Sequence, residues 1–196
     1  NLAGHKLPTA YPSRRVWLHL TVKDRNGQTV FESGALQSDG SIAGNINDSD
    51  STRYEPHYER IDAQDQVQIY EAIMVDPKDR VTTGLLEAIR FVKDNRIPPM
   101  GFDKASAQTD IAVQGKADAD ADFTGGGDTV RYVVPVTDGS RPFSIQAELW
   151  YQPIGFRWAQ NLKQQQAAEI DRFVSYFNAN SRQSGIVMAK DLKSVK

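Results

Sequence analysis

The feature that most constrains the fold is a run of alternating apolar and polar residues near the beginning of the chain. Side chains two positions apart share a face of a β-strand, so this run predicts one strand with an apolar face. Residues 24–27 (DRNG) follow it, and the Asn-Gly pair suits the positive φ angles of a tight hairpin turn. Residues 28–33 are predicted to form the returning strand. The apolar face of the first strand comprises Val16, Leu18, Leu20 and Val22, and the opposite face Trp17, His19 and Thr21.

Further along, three segments repeat this alternation and one segment near the end has helical spacing. Residues 67–75, 129–136 and 143–151 are predicted strands. Residues 159–178 are a predicted helix, because their apolar residues recur every three to four positions. Several strands joined mostly by turns, with one late helix, predict an antiparallel β-sandwich, Ig-like or jelly-roll-like, with a C-terminal α-helix.

The remaining segments are less regular. Residues 81–95 fit either a helix or a strand, and residues 37–66 are predicted to be a long polar loop. The chain from Gly185 onward is predicted to be a short, basic, mobile tail. We expect residues 1–160 to form the sandwich, and residues 161–196 to form the helix and tail packed on the same domain.

Composition excludes several classes of function. The 196 residues have a net charge of −2, which provides no basic field for nucleic acid. No apolar run approaches the roughly 20 residues that span a bilayer, so no transmembrane segment is expected. The absence of cysteine excludes disulfides, thiolate metal sites, a cysteine nucleophile and thioether attachment of haem. The first residue is Asn and not Met, so we expect a processed or excised chain.

Three histidines, His5, His19 and His57, are the natural candidates for binding haem iron or another metal. His5 lies in a Gly-His-Lys-Leu-Pro turn, where the imidazole would be partly exposed. His57 lies among residues rich in hydrogen-bonding groups, and His19 alternates with Trp17 on a strand. For each of them the alternative is a structural histidine whose ring nitrogens are hydrogen bonded. We retain His5 and His57 as candidate haem or metal contacts.

An acidic segment at residues 118–128 (DADADFTGGGD) is a candidate calcium loop. Asp118, Asp120 and Asp122 match the first positions of an EF-hand loop, and Asp128 adds a fourth carboxylate. Phe123 stands where that loop needs glycine, so an EF-hand is excluded and only an irregular calcium site or a solvated loop remains.

One further carboxylate, Glu71, lies in an otherwise apolar row of a predicted strand. Burying it alone would be costly, so we expect an arginine partner, a sheet edge or a cleft in which it titrates.

Several short segments resemble periplasmic multihaem c-type cytochromes, specifically the haem-free, β-rich C-terminal region of such proteins. The resemblance spans most of residues 1–160. The segments are residues 3–9 (AGHKLPT), 11–17 (YPSRRVW), 27–34 (GQTVFESG), 54–58 (YEPHY), 66–71 (QVQIYE), 93–98 (KDNRIP) and 149–158 (LWYQPIGFRW).

This resemblance implies a haem-free module of a periplasmic or otherwise exported electron-transfer protein. Its partner would be a haem-bearing segment of the same protein, upstream of residue 1, or a redox partner protein. The c-type haem would belong to the parent protein, and none would be covalently bound in this chain. His5 matches the Gly-His-Lys-Pro motif, and Arg14 and Arg15 belong to the second segment. The expected roles are docking, haem shielding or partner contact.

Two alternatives come from other classes of protein. One is a calcium- or carbohydrate-binding β-sandwich. The other is an enzyme with a small site around His57, Glu55 and Glu71. No catalytic motif supports the second alternative, so we expect no enzymatic activity.

Overall fold

The chain is mainly β, with antiparallel sheets and a C-terminal helix, as the sequence predicts. The computed structural model describes residues 1–196, apart from the side chain of Asp138. The helices are α1 (Ile46–Ser49), α2 (Phe156–Leu162) and α3 (Ala168–Asn180). The strands are β1 (Arg15–Lys23), β2 (Thr29–Ser33), β3 (Arg60–Ile61), β4 (Ile69–Tyr70), β5 (Ala72–Val75), β6 (Val81–Thr82), β7 (Arg90–Asp94), β8 (Arg131–Tyr132), β9 (Phe143–Gln152) and β10 (Ile186–Val195).

Strand β1 lies at the centre of the largest sheet. The strand order is β10-β9-β1-β2, and β4 pairs with the first part of β1. A second sheet has the order β6-β5-β7, so the segment at residues 81–95 forms two strands joined by a turn and not a helix. The pair β3-β8 is parallel, so the sheets are not uniformly antiparallel. The predicted hairpin is confirmed by the antiparallel pairing of β1 with β2.

Both faces of β1 contribute to the core. Val16 packs in one apolar cluster, and Leu20 and Val22 pack in a second with Phe31 of β2. On the opposite face, Trp17 is fully buried in a third cluster. This distribution agrees with the alternation in the sequence, because the face of Val16, Leu20 and Val22 is buried, whereas the opposite face is buried at Trp17 and partly exposed at His19 and Thr21.

The indole of Trp17 fixes the chain just after β2. Its Nε1–H donates to the Gly34 carbonyl oxygen at 2.8 Å. Gly34 has φ +82°, and a Cβ at this position would overlap the Leu18 carbonyl oxygen. Only glycine satisfies both the left-handed backbone and the close approach of β1.

The single predicted helix over residues 159–178 is wrong, because the chain forms α2 and α3 with a break between them. Ala159 of α2 is buried, and the Arg157 guanidinium donates to the Asn47 carbonyl oxygen at 2.9 Å. Phe177 of α3 lies instead against Gly40. The helical periodicity does not reveal the break, because it does not show which surface each turn covers.

The predicted mobile tail is also wrong. Residues 186–195 form β10, which pairs antiparallel with β9 along its whole length. Its sequence has no strict alternation, since every residue of β10 is exposed and no face must be apolar. The free edge of β9 supplies the backbone partners that order this segment. The predicted strand at residues 129–136 is shorter than expected, because only Arg131–Tyr132 pair with another strand.

A buried ion pair orders part of the long polar loop predicted at residues 37–66. Arg15 Nη1 donates to Asp48 Oδ1 at 2.8 Å, and these side chains are only 4% and 3% exposed. Arg15 also donates to Gln152 Oε1 at 2.7 Å and to the Gly40 carbonyl oxygen at 3.2 Å. The second oxygen of Asp48 accepts the Ile42 N–H at 2.8 Å. The loop therefore contains α1 and is held against β1 and β9.

Replacing Arg15 by methionine should destabilise the protein strongly, because Asp48 would remain buried as an unpaired carboxylate. We expect Arg15→Met to lower the free energy of unfolding by about 3–5 kcal/mol, measured by urea denaturation at pH 7. The control is Arg14→Met, because within the described part of the chain Arg14 makes a hydrogen bond to the Thr9 carbonyl oxygen and no ion pair. Equal losses in the two variants would contradict this assignment.

Candidate functional site

Three buried side chains form the cluster that most resembles a metal centre. His57, Asp120 and Asp128 each offer a ligand atom, and these atoms lie within 4.8 Å of one another. His57 Nε2 is 2.9 Å from Asp120 Oδ2 and 3.9 Å from Asp128 Oδ1. The His57 side chain is 1% exposed, so solvent does not reach the ring. The cluster joins the segment before β3 to the acidic loop.

The amide of Gln68 determines which His57 nitrogen carries the proton. Gln68 Oε1 accepts the Tyr58 N–H at 2.8 Å, and this contact orients the amide group. Gln68 Nε2 then faces His57 Nδ1 at 2.8 Å and Asp128 Oδ2 at 3.1 Å. A flipped amide would place its oxygen against the carboxylate of Asp128. His57 Nδ1 therefore accepts a hydrogen bond and carries no proton.

The amide of Asn95 leads to the same assignment. Asn95 Oδ1 accepts the Glu71 N–H at 3.0 Å, and Nδ2 donates to the Ile69 carbonyl oxygen at 2.9 Å. The same Nδ2 lies 3.1 Å from His57 Nδ1. With Nδ1 facing two donors, the proton of the neutral ring lies on Nε2, which donates to Asp120.

This proton position does not suit a metal ion on His57. A metal-binding imidazole presents a lone pair to the ion and donates its other N–H to an acceptor. In His57 the arrangement is reversed, because Nε2 is the donor and Nδ1 meets only N–H groups. These hydrogen bonds indicate that His57 connects two loops inside the protein and does not bind a metal ion.

The two carboxylates of the cluster differ in their electrostatics. Burial raises the pKa of Asp128, even though Oδ2 accepts hydrogen bonds from Tyr70 and Gln68. Its Oδ1 is buried without a hydrogen-bond partner within the described part of the chain. Burial also acts to raise the pKa of Asp120, but hydrogen bonds from His57 and from the Asp122 N–H hold it below its usual range.

The predicted calcium loop does not bring its carboxylates together. Asp120 and Asp128 lie in the cluster with His57, whereas Asp118 and Asp122 are exposed. Asp122 Oδ1 accepts the Thr129 N–H at 3.2 Å. Among the residues that the structure describes, no other set of three such ligands lies within metal-binding distance.

His19 has a different environment from the other two histidines. Its Nδ1 is 3.0 Å from Glu148 Oε2, and its Nε2 is 3.0 Å from Glu32 Oε1. Both ring nitrogens therefore meet carboxylate oxygens, on the same face of the sheet as Trp17 and at a partly buried position. A ring held in this way has no free nitrogen for an external ligand.

His5 is exposed, and its hydrogen bond leaves one nitrogen free. Nδ1 lies 3.1 Å from the Lys6 carbonyl oxygen, which can only accept, so Nδ1 carries the proton. In the part of the chain that the structure describes, Nε2 has no protein partner. Its lone pair therefore faces solvent, which is the arrangement that a metal-binding imidazole needs.

The turn that contains His5 is firmly anchored. Leu7 and Ile97 exchange backbone hydrogen bonds of 2.9 and 2.8 Å. Lys6 Nζ forms an ion pair with Asp94 at 2.8 Å, and Asn1 Nδ2 donates to the His5 carbonyl oxygen at 2.8 Å. These contacts place the imidazole on a fixed part of the surface.

The other candidates have structural partners. Glu71 forms a buried ion pair with Lys93 at 2.9 Å, so its partner is a lysine and not the expected arginine. Glu55 accepts hydrogen bonds from Tyr58 and Ile46, and burial raises its pKa. Within the described structure, the ring of His57 contacts Asp120, Gln68 and Asn95, and neither Glu55 nor Glu71 bonds to it.

Sequence reasoning identified His57 but missed the residues that decide its chemistry. Gln68 immediately precedes β4, and Asn95 immediately follows β7. Tyr70 of β4 donates a hydrogen bond to Asp128. No local motif connects them, because their side chains meet only after the strands have paired.

Comparison with known proteins provides little beyond this geometry. No family model matches the sequence, and no curated protein matches it. Among solved structures, the chain is similar to a penta-haem cytochrome c552 from Thermochromatium tepidum, with 13% sequence identity and a TM-score of 0.42. The match covers 100% of this chain and 34% of that chain, so this sequence spans about a third of its length. A similarity at this level carries no argument about function.

The two aspartates should respond oppositely to removal of their charge. The depressed pKa of Asp120 contributes stability above its unfolded pKa, and this is lost as the pH falls through the folded pKa. The pKa of Asp128 is higher in the folded than in the unfolded protein. Protonated Asp128 therefore stabilises the fold at pH values below its unfolded pKa, and this stabilisation is lost as the pH rises through its folded pKa. At pH 7 we expect Asp120→Asn to lose about 1–2 kcal/mol. Asp128→Asn should match or exceed wild-type stability.

Urea denaturation at pH 5 and pH 7, with and without EDTA, measures these effects. We expect no change in wild-type stability on adding EDTA or Zn²⁺, because His57 Nε2 is protonated. If EDTA destabilises the wild type and Asp128→Asn is strongly destabilised, a cation occupies the cluster and the assignment is wrong.

Proposed function

We propose that this chain is a haem-free, non-catalytic module of an exported multihaem cytochrome, and that His5 faces the haem-bearing part. The observation that carries this proposal is the exposed His5 Nε2, which has a free lone pair on an anchored turn. Of the three histidines, only His5 combines exposure with a free ring nitrogen.

The absence of cysteine agrees with a module that binds no haem covalently itself. A chain without cysteine cannot attach a c-type haem by thioether bonds, so any such haem must belong to another segment or partner. No helix in the described chain is both long enough and apolar enough to cross a membrane. The proposal also rests on the sequence segments that resemble periplasmic multihaem cytochromes.

The surface beside His5 suits an apolar, planar partner. Leu2 is 86% exposed and Met100 is 67% exposed. Asn1 connects Met100 to the His5 turn, because its Nδ2 donates to the His5 carbonyl oxygen and its own carbonyl oxygen lies, like Met100, near Gly126. A haem edge would contact exposed apolar side chains such as these and bring an iron atom or a propionate group near the imidazole. Bound there, the haem would supply electron transfer, and this chain would orient and shield it.

The alternative functions lack an observation in their favour. The predicted calcium site requires Asp118 and Asp122 to lie beside the other carboxylates, and both are exposed. The carbohydrate reading requires a free aromatic platform, but Trp150 stacks on Trp17 with ring centroids 5.8 Å apart. The enzymatic reading requires His57 to be accessible, but its ring is buried.

Changing His5 to alanine in the full haem-bearing protein should alter one haem and leave the others unchanged. We expect a change in the Soret band and reduction potential of that haem, because it loses an imidazole ligand or contact. Added imidazole should restore the spectrum, which a purely structural role of His5 would not predict. The measurement is ultraviolet–visible spectroscopy with a redox titration.

The matched control is His19→Ala, because His19 is bound to carboxylates on a different surface. Haem spectra and potentials unchanged by His5→Ala would exclude the proposed role of His5. A colourless full-length product with no CxxCH segment would overturn the cytochrome assignment as a whole.

A further inference from the structure

The outer edge of β10 is a long strand edge that the rest of the chain leaves open. β10 ends the largest sheet, and among the described residues it pairs with β9 alone. All ten of its residues are exposed, including Leu192 at 68% and Ile186 at 57%. An exposed edge with apolar side chains can accept another strand through its unpaired N–H and C=O groups.

One hydrogen bond shows which backbone groups face this open edge. The Leu192 N–H donates to Asp191 Oδ1 at 2.9 Å, so we infer that it points away from β9. In an antiparallel ladder, the backbone N–H and C=O groups of successive residues point alternately to the two sides of the strand. The backbone groups of Lys190, Leu192 and Ser194 therefore face the open edge. All three residues follow the register shift between Val187 and Ala189.

Symmetry restricts how the edge could pair with its own copy. A two-fold axis perpendicular to the sheet keeps each side chain on its original face, so only residues on the same face can lie opposite one another. Centring the pair on Leu192 places its outward N–H and C=O groups opposite those of its copy, so that the Leu192 N–H exchanges Asp191 Oδ1 for the carbonyl oxygen of the copy. The same register places Lys190 opposite Ser194, again with both sets of backbone groups facing the partner.

Charge favours this register over its neighbours. With Leu192 at the axis, Asp191 of each copy lies opposite Lys193 of the other, which makes two reciprocal ion pairs. Centring on Lys190, Asp191 or Lys193 would place two like charges opposite one another, which is unfavourable. Centring on Ala189 would place Asp191 opposite Val187 and form no ion pair.

We propose that the open edge of β10 pairs antiparallel with the same edge of a second copy of this chain, centred on Leu192. Such a dimer joins two sheets into one continuous sheet. Contact along one strand edge buries less than the roughly 1,200 Å² typical of stable complexes, so the dimer is weak. The dimer therefore forms only at high protein concentration, and it is independent of the function proposed for His5.

Sedimentation velocity over a concentration series tests this dimer. Wild type should convert from monomer to dimer as its concentration rises. Asp191→Lys and Lys193→Asp should each weaken dimerisation at least tenfold, because each places like charges opposite one another. The double variant should dimerise like wild type. An equimolar mixture of the two single variants should form a heterodimer, since opposite charges then meet at both positions.

The control is Lys116→Asp, which makes the same charge change as Lys193→Asp at an exposed position away from β10. It should dimerise like wild type, and circular dichroism should show that every variant is folded. A wild type that stays monomeric up to millimolar concentration overturns the proposal. A dimer that ignores the single changes, or a mixture that forms no heterodimer, also overturns it.

Discussion

Burial of β1 on both faces is the constraint on which the rest of the structure depends. Val16 and Trp17 are fully buried on opposite sides of this strand, and β9, β2 and β4 pair with its edges. Arg15, at the start of the same strand, holds Asp48 and the loop around α1. One strand therefore organises the sheet, its apolar layers and the loop around α1.

The three histidines have the same side chain, but the directions of their hydrogen bonds give them different roles. His57 receives N–H groups at Nδ1 and donates from Nε2, so its ring joins two loops. His19 meets carboxylate oxygens at both nitrogens. His5 donates from Nδ1 to a carbonyl oxygen and leaves Nε2 free. Burial alone would not make this distinction, because it does not reveal which nitrogen carries the proton.

The candidate site could be predicted only in part. Residue type was enough to select His5 and His57, since imidazole is the natural ligand for iron and similar metals. The acidic spacing grouped Asp118 with Asp120, although only Asp120 reaches His57. Spacing along a loop does not determine which carboxylates turn inward, because that depends on the strands beneath the loop.

The sequence by itself determined the hairpin of β1 and β2, the β-rich class and the absence of a covalent haem. Alternation, turn residues and cysteine content are local properties that can be counted along the chain. Only the tertiary structure decided the break between α2 and α3, the pairing of β10 and the proton positions on the histidines. These features depend on partners far apart in sequence, such as His57 and Asp120, which are 63 residues apart. Such partners meet only when the sheet has formed.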